Sequence, residues 1–504
     1  MRSTFGGLNT MFSGLSANQV SLDTVGHNIT NASVDGYSRQ NVNLAATPSQ
    51  TVSTMYGSAE MGTGVNTISV TRARDAFADK AYRKDSSDLN NANTRQTNYD
   101  KLEAIYNDST DTGLQKSINN FWSSWTALAS DAGQSTTTTT RQTVVSAGDK
   151  LAQNLQSSTA KTQTLISDEN TQMELQVKSV NGLTSDILDL NKKITQAEST
   201  GAMANDLRDS RDLKVDQLSK LVKVSVDQKT DGSYSIVSNG NTLVDANSRL
   251  TLKVTSTPNL DYGVDDNTIT IAETGGAYDP GNGEIKGLQD SIVENKGYID
   301  NMAAMGSYLL TTFNDQHKAG YDLNNNKGVN FYGETSDTYK YGSGSTTKTD
   351  SLGMTTTLKS IDIINALSIN TAILADNGTS LIAARSSGEG NAGAANAKLL
   401  GGMLHDTADS ASGPLGNTTF AAYYTGVTNK LGSDAQATDN TVTNQEDLLT
   451  VSTNWRASTS GVNWDEELTN MIKFQKGYSS CARCLTTMDE MLDKLINSTG
   501  TVGR

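Results

Sequence analysis

The stretch MRSTFGGLNTMFSGLSANQVSLDTVGHNITN, residues 1–31, repeats its large apolar residues every seven positions. Phe5, Leu8, Phe12, Leu15, Leu22 and Ile29 fall on one seam, with Gln19 and Gly26 at its two weak positions. At the far end of the chain Phe474, Tyr478, Cys481, Leu485, Met488, Leu492 and Leu495 alternate steps of four and three. A period of 3.5 keeps one narrow stripe facing a partner helix over many turns. Two such stripes in one chain pair most simply with each other, so the ends meet and everything between becomes an excursion. At a rise of ~1.5 Å per residue, each helix is a rod on the order of 45 Å long.

The rest of the N-terminal segment is as informative as its seam. Between Arg2 and Ile29 the only formal charges are Arg2 and Asp23, and Gly6, Gly7 and Gly14 sit among Ser, Thr and Asn. A helix facing bulk water normally carries a charged outer face. A neutral, small-residue surface suits packing against further copies of the same chain. Alone, such a segment is barely helical, because nucleation is costly and its stability has to come from packing.

Composition narrows the function. The 504 residues carry a net charge of −15, are 35% hydrophobic and only 6% aromatic, which describes an elongated body of about three domains. The negative charge argues against a nucleic-acid backbone as partner. No run of 18 apolar residues is present, so no membrane span is expected. The N-terminus lacks the basic patch, apolar block and cleavage site of a secretory signal. No HExxH, Walker A or GxSxG pattern occurs, and His27, His317 and His405 are scattered, so neither a catalytic nor a metal site is expected. The pair Cys481-x-x-Cys484 lies inside the C-terminal heptads and reads as packing rather than redox chemistry. Asp322-Leu-Asn-Asn-Asn-Lys-Gly328 begins like a calcium loop. However, Lys327 stands where Gly is needed and Gly333 where the bidentate Glu would be; the reading is an Asn-rich turn. No cofactor is expected.

Between the ends, three- and four-residue spacing predicts helices through Tyr99–Tyr106, Leu114–Leu128, a long one carrying Met173, Val177, Val180, Leu183, Ile187, Leu190, Ile194 and Ala197, and another over 205–222. The 40–71 stretch is extended and polar. From Val222 the period becomes two, with turns at Asp231-Gly232 and Asn239-Gly240, as in hairpins. Helical spacing resumes at Met302 and again over 417–459. The fold class is therefore mainly α with an inserted β-rich domain. The nested pattern divides the chain into a terminal coiled coil (1–40 with 460–504), a helical body (41–222 with 287–320 and 360–459) and an outward β-rich excursion. That excursion takes in 223–286, with 321–359 as a candidate second part.

One segment carries a family resemblance. Asn28-Ile-Thr-Asn31-Ala-Ser-Val-Asp-Gly36-Tyr37-Ser-Arg39-Gln40 resembles the N-A-N-T-P-G-Y-x-R signature that closes the first helix of bacterial flagellar rod and hook proteins. Its Tyr-Ser-Arg-Gln ending narrows this to the hook-associated protein 1 family, the first hook–filament junction proteins. Asp111-Thr-Gly-Leu114, the segments 205–212 and 313–323, and Ser460–Glu467 resemble the same family. Val34-Asp35 departs from it, standing where Thr-Pro is usual. The resemblance implies that the terminal helices form an inner domain lining a secretion channel in a ring of like subunits, that the body forms a helical rod domain and that the strands form an outer domain. It further implies export by the flagellar type III route without signal cleavage, after a chaperone binds the C-terminal region. The partners it implies are the hook protein on one side and the second junction protein on the other. Flagellin or the second junction protein shares terminal heptads but not Gly-Tyr-Ser-Arg-Gln. A secreted adhesin is the reading from another class, resting on the strand-rich region alone.

Overall fold

The computed structural model describes residues 6–54, 57–106, 113–130, 138–199, 201–390, 393–406 and 413–498. In chain order, α1 (Gly6–Asn31) leads to β1 (Gln40–Ala46), β2 (Gln50–Thr54), β3 (Gly57–Met61) and β4 (Val65–Arg72). The helices α2 (Ala76–Tyr106), α3 (Leu114–Ser130), α4 (Thr138–Glu198) and α5 (Asn205–Leu221) follow. Next come β5 (Ser225–Gln228), β6 (Tyr234–Ser238), β7 (Asn241–Val244), β8 (Leu252–Asn259) and β9 (Val264–Ile271). After α6 (Glu284–Tyr308) and α7 (Asn314–Ala319) lie β10 (Thr338–Gly342), β11 (Ser345–Thr349) and β12 (Thr355–Thr357). The chain ends in α8 (Ser360–Ala366), α9 (Thr371–Leu374), α10 (Ala395–Gly402), α11 (Phe420–Ser460) and α12 (Trp464–Asp493). The chain is mainly α with β-rich insertions, as its sequence predicts. The calls on Phe5 and on Asp111-Thr112 lie outside the described residues.

Two apolar cores lie along α4. The first gathers Phe121, Trp122 and Trp125 of α3 with Phe313, Phe331, Tyr332 and Phe420. Phe121 meets Trp122 edge-on at 5.0 Å between ring centroids, the edge-to-face arrangement favoured by aromatic quadrupoles. The second core joins Ile166, Met173, Val177, Val180 and Ile187 of α4 to Val215 and Leu218 of α5, with Ile236, Leu243, Leu252, Ile269 and Ile271 from the strands. The strands over 225–271 form two small antiparallel sheets, β5-β6-β7 and β8-β9, and their inner faces have no core apart from these helices. Tyr339 of β10 likewise enters the first core.

The α4 seam differs from expectation at three positions, one of them Ala197, which is exposed near the end of the helix. Thr184 and Asn191 are buried where Leu183 and Leu190 were expected on the seam. The reason is hydrogen bonding: Asn191 accepts from the Tyr234 amide at 3.0 Å and donates to the Tyr234 carbonyl at 2.9 Å. Asn181 makes the same pair of bonds to Leu252, at 2.9 and 2.8 Å. Both asparagines thereby satisfy buried strand groups that would otherwise cost free energy. The 322–328 segment is a turn: the buried Asp322 carboxylate accepts from the amides of Asn324 and Asn326 at 2.8 and 2.7 Å, and Asn325 has φ +66°.

Candidate functional site: the terminal helix pair and the knot at its base

The ends meet. α1 and α12 pack antiparallel, with Gly7 against Met488, Gly14 against Cys481 and Asn18 against Gly477. Asn28 against Glu467 continues the same register, so seven residues on one helix answer seven on the other. A Cβ on Gly14 would stand 3.1 Å from Cys481 Sγ, and one on Gly7 2.9 Å from Met488 Cε. Glycine is what permits this approach.

This geometry revises the expected N-terminal seam. Of its residues, Leu8, Leu15, Leu22 and Ile29 are half-buried on the flank of the pair, and Phe12 is 61% exposed. The contacts to α12 run instead through Gly7, Gly14, Asn18 and Asn28, with Gly7, Gly14 and Asn28 one helical position from Leu8, Leu15 and Ile29, and Ala17, Ser21 and Val25 are buried. Small residues win because they form the groove into which the larger C-terminal residues settle as knobs. On α12 the expected seam residues Phe474, Tyr478, Cys481, Leu485, Met488 and Leu492 are half-buried, as are Asn470, Met471, Gly477 and Ala482. Leu495, the last residue of the expected seam, departs from it: it follows the end of α12 at Asp493 and is 57% exposed. Cys481 is half-buried in the seam and Cys484 is exposed; both are free thiols.

At the base of the pair the signature residues interlock. Asn28 Oδ1 accepts from the Gln40 amide at 2.9 Å and from Tyr37 Oη at 2.7 Å. Its Nδ2 donates to the Gln40 carbonyl at 3.0 Å and to Glu467 at 3.2 Å. Asn31 closes α1 by donating to the His27 carbonyl at 2.9 Å. Gly36 has φ +80°, and the Tyr37 amide donates to the Val34 carbonyl at 3.2 Å. That is a reverse turn with Gly at its third position, formed with Asp35 where the family has Pro. Arg39 donates from Nε to Glu467 at 2.8 Å and from Nη2 to Glu466 at 2.7 Å. Its amide donates to the Ser460 carbonyl at 2.9 Å. Burial, then Asp206, Asp209 and Glu467, raise the Tyr37 hydroxyl well above its ordinary range, so it remains a donor.

Beneath this clasp lies an arginine–aspartate knot that the sequence reading did not single out. Asp209, Asp212 and Asp216 project from one face of α5. Arg72 bridges Asp209 at 2.6 Å and Asp212 at 2.8 Å. Arg83 bridges Asp216 at 2.8 Å and Asp212 at 3.4 Å, Arg74 bridges Asp79 at 3.1 Å, and Arg456 of α11 reaches Asp216 at 2.6 Å. Ser38 donates to Asp209 through both its amide and its hydroxyl, at 3.0 and 2.6 Å. Burial lifts the Asp212 carboxyl, but Arg74, Arg72 and Arg83 more than reverse this and hold it well below the usual carboxylate range. The signal available beforehand was the spacing of Asp209, Asp212 and Asp216, which places three carboxylates on one helix face. Its partners come from four other segments. Each guanidinium of the knot faces a carboxylate, so its chemistry is to hold segments together. Among the described residues no group of His, Cys, Asp and Glu is placed to hold a metal ion, and no helix is long and apolar enough to cross a membrane.

The family profile described as flagellar hook-associated protein FlgK helical domain matches residues 99–332. The profile described as flagellar basal body rod FlgEFG protein C-terminal matches residues 456–498. The chain is 30% identical to flagellar hook-associated protein 1 of Bacillus subtilis, over 100% of both chains. It is 25% identical to the protein of that name from Salmonella typhimurium, over 97% of this chain and 99% of the other. Its fold is similar to that of the flagellar hook junction protein FlgK from Burkholderia pseudomallei, with TM-score 0.61 at 18% identity, covering 76% of this chain and 100% of that one. A helical body whose two ends close on each other through these segments is a structural component of the flagellar axis. Within that class, the chain belongs to the flagellar hook-associated protein 1 family, which forms the junction between hook and filament.

Proposed function

We propose that the terminal pair is the assembly element of a ring of identical subunits, seated on the hook protein below and capped by the second junction protein above. On this reading the chain acts outside the cell, without catalysis. It is exported through the flagellar type III route with its ends unpaired, after a chaperone has held the C-terminal region, and the ends close on arrival. The supporting observation is the apolar surface the pair leaves uncovered. Phe12 is 61% exposed, Ile472 59% and Leu468 45%. Exposed apolar side chains gathered on one helix pair mark an interaction surface. The division into inner coil, helical rod and outer strands is part of the proposal, with the knot as the joint between coil and rod.

The test is Phe12→Ser with Ile472→Ser in the full chain. The body should melt unchanged and the protein should be exported, while cells shed filament protein and swim poorly. Normal filaments in that strain would overturn the assignment.

A further inference from the structure

The two apolar cores abut at a polar gap. On α4, Leu165 belongs to the first core and Ile166 to the second; on α6, Tyr298 belongs to the first and Ile299 to the second. About one turn from this boundary Glu169 of α4 meets Asn295 of α6, and beside Glu169 a cavity of about 330 Å³ opens between α2, α4 and α6, lined by Asn98, Lys101, Asp168, Glu169, Glu284 and Leu288. Glu169 is 5% exposed and its Oε2 accepts from Asn295 Nδ2 at 2.8 Å. Among the described residues it has no ion-pair partner. Asn98 is 2% exposed and neither its Oδ1 nor its Nδ2 has a hydrogen-bond partner. The cavity therefore offers an acceptor for a carboxyl proton.

We propose that Glu169 is a proton-operated latch at the joint between the two cores. As the neutral acid it docks α4 against α6 beside Asn295 and Asn98. As the carboxylate, its proton released to solvent, it draws water into the cavity and loosens the joint. The groups facing it decide the balance: Lys101 from α2 favours the charge, whereas Glu294 from α6 and Asp168 from α4 oppose it, and Glu284 of α6 lines the same cavity. Burial raises the carboxyl to about 8, against the Asn295 bond and Lys101. The sign follows. The folded chain keeps a proton that the unfolded chain releases near the ordinary glutamate value of ~4.3. Stability contributed here therefore falls as pH rises from that value to about 8, and is level beyond it.

The experiment compares urea unfolding of the full chain and its Glu169→Gln variant from pH 5 to 9.5. The ratio of wild-type to variant folding constants should drop about tenfold per pH unit up to about pH 8, then stay constant. Difference infrared spectra of the wild type should show a neutral carboxyl disappearing over that range, and the variant should lack the signal. Parallel pH profiles for the two chains overturn the latch. So does stabilisation by calcium chloride or potassium chloride at pH 9 in the wild type alone, which would make the cavity a cation site. If Glu169→Gln fails to fold, Lys101→Met decides the matter. Removing the facing cation should move the infrared titration upward, and an unmoved titration counts against the proposal.

Discussion

Arg39 and Glu467 are 428 residues apart in the chain, yet Arg39 Nε donates to the Glu467 carboxylate across 2.8 Å, and the carboxylate is 1% exposed. The pair ties the segment after the first helix to the start of the last one. Removing one partner of a buried pair leaves a charge without compensation, which costs about 3–5 kcal/mol. Arg39→Ala should therefore unseat α12 while both cores melt normally. Hydrogen exchange in assembled particles would show it as lost protection near residues 464–470. A double-mutant cycle with Glu467→Gln should return a coupling above about 1 kcal/mol; additive effects would mean that the two groups act independently.

The small-residue seam makes an opposite prediction for neighbouring positions. Gly14→Val places atoms into Cys481 Sγ and should split the pair, at about 1–3 kcal/mol for overpacking. Phe12→Ser, two residues away but 61% exposed, should leave the isolated chain within about 0.5 kcal/mol of wild type. Cross-linking of Cys481 to a cysteine placed at residue 14 would report the pairing directly.

Asp212 faces Arg72, Arg74 and Arg83, so Asp212→Ala removes the carboxylate these three share, leaves each with a single partner (Asp209, Asp79 and Asp216), and should destabilise the chain at neutral pH. Its folded carboxyl is depressed below the unfolded value of ~3.9. The stabilisation is thus fully present above that value and is lost as pH falls through the folded one. The gap between wild type and variant in urea unfolding should be constant from pH 5 to 8 and narrow only in strong acid. A gap that widened with acid would assign the stabilisation to another group.

What the sequence disclosed and what it hid follow from the reach of the interactions. The long helix through Met173 and the hairpins after Val222 are local patterns and stand where their spacing puts them. The N-terminal face was misread by one helical position because bulk was taken as the mark of the seam. There Gly7, Gly14 and Asn18 make the contact, and Phe12 is 61% exposed. The signature residues Asn28, Tyr37 and Arg39 were legible as a motif. Their convergence with Asp209 and Glu467 was not, because each partner lies on a different segment and no period relates them. Asn181 and Asn191 were invisible for a similar reason: each satisfies a strand backbone whose position only the fold supplies.

The strand-rich insertion gives the final test. By connectivity it is an excursion that returns to its start, since the Lys223 amide donates to the Pro280 carbonyl at 3.1 Å. A short Gly-Ser linker replacing residues 225–279 would therefore close without strain. By packing, however, it is a lid: Ile236, Leu243, Val244, Leu252, Ile269 and Ile271 cover Met173, Val177, Val180 and Ile187 of α4. Each large side chain uncovered costs about 1.5–3 kcal/mol, and Asn181 and Asn191 lose their strand partners as well. The deletion chain should bind a hydrophobic dye, self-associate and melt well below the intact protein. Adding Met173→Gln, Val177→Gln, Val180→Thr and Ile187→Gln should restore a monodisperse chain, because the exposed face is then polar. That repaired chain separates the two roles of the insertion. If the strands serve only to cover α4, its cells should build filaments. If the strands also touch neighbouring subunits, the repaired protein should be secreted while hooks remain bare. A deletion chain that stayed monodisperse with an unchanged melting temperature would show that α4 does not need the strands at all, and the shared core would have no energetic meaning.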